Sequence, residues 1–126
     1  MRSESDDLWL IDDNEADNFL HKLVLRRSGW KGSINVFERP EHALAAALDE
    51  TRAPPAVVLL DVNMPGMSGW EWLAAAAEAA PDMLQRTRIH VLTTSIDKVD
   101  LERAKAIPGL AGFIEKPLSD SDVGGL

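Results

Sequence analysis

Short continuous apolar runs alternate along this chain with longer stretches of helical period. Leu8 to Ile11 is the first run, closed by Asp12 and Asp13, the pattern of a strand buried on both faces. From Asn14, a natural helix cap, Phe19, Leu20, Leu23 and Val24 recur at helical spacing, and Gly29 follows the end. Ser33 to Phe37 predicts a second strand. Pro40 then suits the first turn of a helix whose stripe is Leu44, Ala47 and Leu48, and Pro54 and Pro55 end that unit. Val57 to Leu60 is the clearest buried strand, and it delivers Asp61 at its carboxyl end. After a loop rich in Gly and Pro, Ser68 and Glu71 have capping-box spacing. Trp70, Leu73, Ala74 and Ala77 supply the stripe of a third helix, which Pro81 terminates. Ile89 to Leu92 predicts a fourth strand running into Thr93, Thr94 and Ser95. A helix over Asp97 to Ile107 follows, stopped by Pro108 and Gly109, and Phe113 to Glu115 is a fifth strand reaching Lys116 and Pro117.

Strands alternating with helices imply right-handed crossovers and a parallel sheet covered on both faces, a doubly wound α/β fold. Ligands of such sheets bind beyond the carboxyl ends of the strands. Four of the five predicted strands end there on polar residues: Asp12 with Asp13, Asp61, Thr93 and Lys116.

Composition narrows the class. The 126 residues suit one domain, 1–126, with a core over 8–117 and a short or truncated last helix over 118–126. Hydrophobic residues at 45% and charged residues at 27% are the balance of a soluble globular protein. With no cysteine, neither disulfides nor a thiolate metal site is available. The polar, acidic start from Met1 to Asp7 is unlike a secretory signal, and no apolar run reaches membrane-spanning length, so a cytoplasmic location without membrane contact is expected. A formal net charge of −8 repels phosphate backbones, and Lys22, Arg26 and Arg27 read as a solvated helix face, so direct nucleic-acid binding is disfavoured.

Three carboxylates gathered at one end of a sheet repel one another, and the usual remedies are a raised pKa or a hard cation. Mg²⁺ suits an all-oxygen site. The expected direct ligands are Asp13 and Asp61, with Asp12 acting through water and the backbone carbonyl of Asn63 completing the protein's share. A metal there would orient a phosphoryl donor toward a carboxylate nucleophile. Lys116 would pair with Asp61 and then with phosphoryl oxygens, and Thr93 would donate a hydroxyl hydrogen bond to the same group. Taken singly, each residue reads as a turn, a cap or a surface charge. Their shared end of successive strands carries the functional reading.

The run Asp61-Val62-Asn63-Met64-Pro65-Gly66-Met67-Ser68-Gly69, with Ile11-Asp12-Asp13 before it and Phe113-Ile114-Glu115-Lys116-Pro117 after it, resembles the response-regulator receiver family over nearly the whole chain. The resemblance implies a flavodoxin-like strand order of 2-1-3-4-5 and Asp61 as phosphoacceptor. It also implies a sensor histidine kinase or histidine phosphotransfer protein as donor, a cis peptide at Lys116-Pro117, and a role in signalling rather than as an enzyme. It supplies a switch as well: Thr93 moves toward the phosphoryl group, Phe113 turns into the vacated space, and contacts with a downstream protein target change. Phe113 lacks a hydroxyl and can report packing alone; plain core is its bland reading.

Thr93 and Thr94 are adjacent, and the spacing to Asp100 and Leu101 favours Thr93. Thr94 then takes a place the family usually gives to a smaller residue. Ile107 to Ala111 is one residue longer than the family pattern, and only nine residues follow Pro117, with Gly124 and Gly125 among them disfavouring a helix. His21 and His42, on helices, and His90, on a strand, lack the four-helix setting of a phosphotransfer histidine and read as packing or surface residues. Trp9, Trp30, Trp70 and Trp72 form no evident aromatic cage. Two other functions use the same residues. A degenerate receiver would bind partners without phosphorylation, against which all five of Asp12, Asp13, Asp61, Thr93 and Lys116 are present. An aspartate-nucleophile phosphatase needs a second Asp two positions after the first, where this chain has Asn63. Sequence leaves oligomeric state open.

Overall fold

The computed structural model describes residues 6–107 and 109–126; the first five residues of the polar, acidic start read at Met1 to Asp7, and the helix stop read at Pro108, lie outside them. Five parallel strands, β1 (Leu8–Ile11), β2 (Ile34–Phe37), β3 (Val57–Asp61), β4 (Arg88–Thr93) and β5 (Leu110–Glu115), lie in the order β2-β1-β3-β4-β5. The doubly wound, flavodoxin-like α/β architecture is therefore the one expected.

Alternate residues of the central strands feed two cores. Trp9, Ile11, Val58, Leu60, Ile89 and Val91 pack on one face with Ala43 of α2 (Pro40–Leu48), Trp72, Leu73 and Ala76 of α3 (Gly69–Ala79) and Met83 of α4 (Pro81–Arg86). Leu8, Leu10, Val57, Leu59, Leu92 and Ile114 pack on the other with Val24 and Leu25 of α1 (Glu15–Arg27) and Val123 of α6 (Asp120–Gly124). Burial on both faces is why β1, and β3 as far as Leu60, are apolar without a break. Between β4 and β5 runs α5 (Lys98–Lys105), capped by the Asp97 carboxylate.

The helices depart from expectation in four places. On α1 the buried residues are Asn18, His21, Val24 and Leu25, whereas Phe19 and Leu23 are 67% and 53% exposed and Leu20 is exposed too. Of the expected stripe only Val24 faces inward, while Phe19, Leu20 and Leu23 face outward; the inward stripe recruits two polar residues, and Asn18 is held there by its Nδ2–H donating to the Asp12 carbonyl at 2.8 Å. On α3, Leu73 is buried as expected, but Trp72 and Ala76 share its face while Ala74 and Ala77 are exposed. Leu48 of α2 is likewise exposed, with Pro40 and Ala43 buried instead. Pro81 does end α3, but it also starts α4, since a residue without an N–H suits a first turn. Met83 is buried there, and just beyond α4 the Thr87 hydroxyl donates to the Pro55 carbonyl at 2.7 Å. The last helix is short, five residues opened by a Ser119–Asp122 capping box.

β5 starts three residues earlier than its apolar core suggests. Ile89 lies opposite Leu110 and His90 opposite Gly112, so Ala111 is an extra residue bulged out of a parallel ladder. The added length noticed between Ile107 and Ala111 is taken up there. Beyond the bulge the register is regular, with Val91 opposite Phe113 and Thr93 opposite Glu115.

Candidate functional site

At the carboxyl ends of β1, β3, β4 and β5 the polar residues converge. Asp12 follows β1 and is 1% exposed; its Oδ1 accepts the Asn14 N–H at 2.9 Å, and the Asn14 side chain in turn caps α1. Asp61 ends β3 in the same kind of turn, its Oδ1 accepting the Asn63 N–H at 3.1 Å. Asp13 is exposed beside them, and one carboxylate oxygen from each of Asp12, Asp13 and Asp61 lies within 4.8 Å of the others. Burial first, and the neighbouring Asp12 charge second, push the Asp61 carboxyl up to about 6, against the opposing pull of the Asn63 N–H and Lys116. Two buried carboxylates with an exposed third offer hard oxygen donors and an excess of negative charge, a donor set that fits a small divalent cation.

Lys116 closes the site from β5 and is only 10% exposed. Its Nζ donates to Asp12 Oδ2 at 2.8 Å and to Asp17 Oδ2 at 2.9 Å, and stands 3.7 Å from Asp61 Oδ1. Burial disfavours the ammonium, but hydrogen bonds to Asp12 and Asp17 and the charges of Asp12 and Asp61 outweigh it and raise its pKa above the ordinary lysine value. The expected approach of Lys116 to Asp61 is thus present as a longer ion pair, while its hydrogen bonds go to Asp12 and to Asp17, a residue the sequence reading passed over. Asp17 is the third residue of α1, its N–H bonded to the Asn14 cap at 3.0 Å, and an acid in a first turn reads from sequence as a partner of the helix dipole. The cap offered the signal: it phases α1 so that Asp17 stands beside the inward stripe of Asn18 and His21.

Thr93, buried at the end of β4, donates its hydroxyl to the Ser95 carbonyl at 2.8 Å and accepts the Ser95 N–H at 3.3 Å, so it is turned into its own loop; Thr94 is exposed. The Lys116 N–H donates to the Thr93 carbonyl at 2.7 Å, tying the two strand ends together. The peptide bond Lys116-Pro117 is cis. Phe113 is half-buried, edge-on to Trp70 of α3 with ring centroids 6.0 Å apart. Asn63 is exposed beside Asp61. Of the histidines, His42 is exposed, while His21 and His90 are buried and their pKa values lowered, chiefly by that burial.

Gly69 sets the depth of the site. Its N–H donates to the Val62 carbonyl at 3.1 Å, and a Cβ built on it would lie 2.5 Å from the Asp61 carbonyl oxygen and 2.8 Å from Val62 Cα. α3 therefore begins directly against the strand end that carries Asp61.

Residues 8–124 match the response regulator receiver domain family. Among curated proteins, the chain is 32% identical over 119 residues to the probable methanogenesis regulatory protein FilR2 of Methanothrix harundinacea, covering 92% of this chain and 75% of that one. It is 31% identical over 109 residues to the transcriptional regulatory protein MctR of Rhizobium johnstonii, covering 82% of this chain and 48% of that protein. Among solved structures, a two-component response regulator from Cytophaga hutchinsonii superposes with a TM-score of 0.86 at 26% identity, covering 97% of this chain and 93% of its own. The chain belongs to the receiver domain family of two-component response regulators.

Proposed function

We propose that this receiver accepts a phosphoryl group on Asp61 and uses it to change its protein contacts. The single observation that carries the reading is the buried Asp12–Asp61 pair, with Asp13 completing three carboxylates within 4.8 Å and the Lys116 ammonium 3.7 Å from Asp61. A strand-end carboxylate has no proton to lose in attack once ionised, so its oxygen can bond to phosphorus directly. With a phosphohistidine donor, the Asp61 oxygen–phosphorus bond forms as the phosphorus–nitrogen bond breaks, and the imidazole leaves as the neutral ring after taking up a proton. The donor is a sensor histidine kinase or a histidine phosphotransfer protein. Mg²⁺ would be held by the carboxylates of Asp13 and Asp61, by Asp12 through water and by the Asn63 carbonyl, and when bound it neutralises charge on the phosphoryl oxygens.

Lys116 then offers its charge to the transferred group. Thr93 exchanges its bond to Ser95 for one to a phosphoryl oxygen, and Phe113 turns into the space vacated, away from Trp70. A downstream protein reads the altered surface. Residues 1–126 form a single domain in this reading, with the core at 8–117. Among the described residues no helix is long and apolar enough to cross a membrane, in keeping with a cytoplasmic role.

The test is to incubate the protein with Mg²⁺ and acetyl phosphate and take its intact mass beside an Asp61→Asn control. One phosphoryl adduct is expected, dependent on Mg²⁺ and absent from the control. No adduct on folded protein would refute the reading and favour a binding module that works without phosphorylation.

A further inference from the structure

The cationic arm of the site is held by two carboxylates, and one of them has no part in the chemistry proposed above. A lysine ammonium has three N–H donors on a flexible four-carbon stem. Two of Lys116's donors are spent, on Asp12 Oδ2 at 2.8 Å and Asp17 Oδ2 at 2.9 Å. The nearest Asp61 oxygen, at 3.7 Å, lies beyond hydrogen-bond range. Asp17 is on α1 and Asp12 beyond β1, so the ammonium is drawn toward that side of the site and away from β3.

We propose that Asp17 is a positioning residue, which holds the Lys116 ammonium off the Asp61 carboxylate and keeps its third N–H free for an incoming phosphoryl oxygen. This rests on Asp61 being the phosphoacceptor. Without Asp17, the next carboxylate within the reach of Lys116 is Asp61 itself. The stem then swings onto the nucleophile, occupies its lone pairs and spends the donor that the phosphoryl group needs. With Asp17 in place, a group added at Asp61 grows into the gap that the ammonium already faces. Asp17 is well suited to such an anchor: its side chain is 33% exposed, and its backbone is fixed by the Asn14 cap.

Initial rates of Mg²⁺-dependent uptake from acetyl phosphate, read as intact mass, test the idea across wild type, Asp17→Asn, Asp17→Glu, Lys116→Ala and the double variant Asp17→Asn/Lys116→Ala. Asp17→Asn is expected to slow uptake about tenfold, the order seen when the support of a catalytic group is removed. Asp17→Glu, which keeps the carboxylate, should stay within about threefold of wild type. In the Lys116→Ala background, Asp17→Asn should change nothing further. Removing a negative charge by itself would hasten an anionic donor, so unchanged or faster uptake by Asp17→Asn overturns the proposal. So does equal slowing with and without Lys116, the mark of an acid that merely supports α1. If Lys116→Ala abolishes uptake outright, urea denaturation of the same proteins decides: coupling of at least fivefold in the folding constant between the two sites is expected, and additivity overturns the proposal. A wild type that takes up no phosphoryl group would sink the reading of Asp61 and this inference together; a competent wild type with an indifferent Asp17→Asn sinks this inference alone.

Discussion

Gly69→Ala is a substitution whose cost can be worked from the structure. The new methyl carbon would stand 2.5 Å from the Asp61 carbonyl oxygen, 2.8 Å from Val62 Cα and 3.1 Å from the Asp61 carbonyl carbon. All three are backbone atoms of a buried strand end, so no side chain can rotate out of the way. Reaching a tolerable carbon–oxygen separation of about 3.3 Å means parting α3 from β3 by roughly 0.8 Å. Overpacking of this kind costs about 1–3 kcal/mol, and contact with main chain puts the change at the upper end, about 3 kcal/mol. Alanine's advantage over glycine within a helix returns about 0.5–1 kcal/mol, which leaves a net loss of about 2 kcal/mol. For 126 residues the unfolding entropy is about 0.26 kcal/mol per kelvin, so Tm should fall by about 8 °C.

The assay is urea and thermal denaturation of Gly69→Ala beside two control glycines. Gly124→Ala in α6 meets nothing within 4 Å and should be neutral or slightly stabilising. Gly66→Ala also meets nothing, but φ is +84° there, so it should cost about 1 kcal/mol of backbone strain alone. Because the clash is with Asp61 itself, phosphoryl uptake by the folded Gly69→Ala protein should fall at least tenfold, while Gly124→Ala behaves as wild type. Wild-type stability together with wild-type uptake in Gly69→Ala would refute the reasoning.

Three further outcomes follow from the site. Asp61 carries a folded-state pKa raised to about 6, above its ordinary value of 3.8, so the folded state binds its proton more tightly than the unfolded state and loses stability as pH rises between about 4 and 6. Without Mg²⁺, Asp61→Asn should therefore be more stable than wild type at pH 7.5 by on the order of 2–3 kcal/mol, with no advantage at pH 4; chemical denaturation at the two pH values checks this, and a constant difference would contradict it. Lys116→Ala leaves the buried Asp12 and Asp61 carboxylates without their cation and should destabilise by about 3 kcal/mol at pH 7.5, an effect that millimolar Mg²⁺ partly restores if the carboxylates hold the metal; equal urea midpoints with and without Mg²⁺ would count against that. Trp70 packs edge-on against Phe113, so Mg²⁺ with acetyl phosphate should change tryptophan emission in wild type and not in Asp61→Asn, and Phe113→Leu should diminish the change; an unaltered spectrum on a fully phosphorylated sample would argue against movement of Phe113.

The sheet was legible in the sequence because strands buried on both faces cannot afford polar interruptions, and Leu8–Ile11 and Val57–Leu60 have none. The strand-end polar residues followed from that, since a polar residue closing such a run stands at the end of the strand, beyond the apolar layers. Helix faces were harder to read. On α1 two stripes compete, and the outward one, with Phe19 and Leu23, is the more apolar; the inward one is stabilised by contacts no periodicity reports, such as the bond from Asn18 to the Asp12 carbonyl. α4 was hidden because Pro81 signals a stop and a start equally well. Asp17 was hidden because its role depends on Lys116, nearly a hundred positions away in sequence.

The bulge at Ala111 has a consequence for the alignment of the site. A residue added between α5 and the middle of β5 would, in a rigid ladder, carry every later position one step along and exchange the sheet faces of Phe113 and Ile114. Here the surplus is lodged at the far end of the strand, and the pairing of Thr93 with Glu115 is restored before the site is reached. The surplus residue is in this way insulated from the alignment of the chemistry, and Lys116 keeps its place beside Asp12 and Asp61.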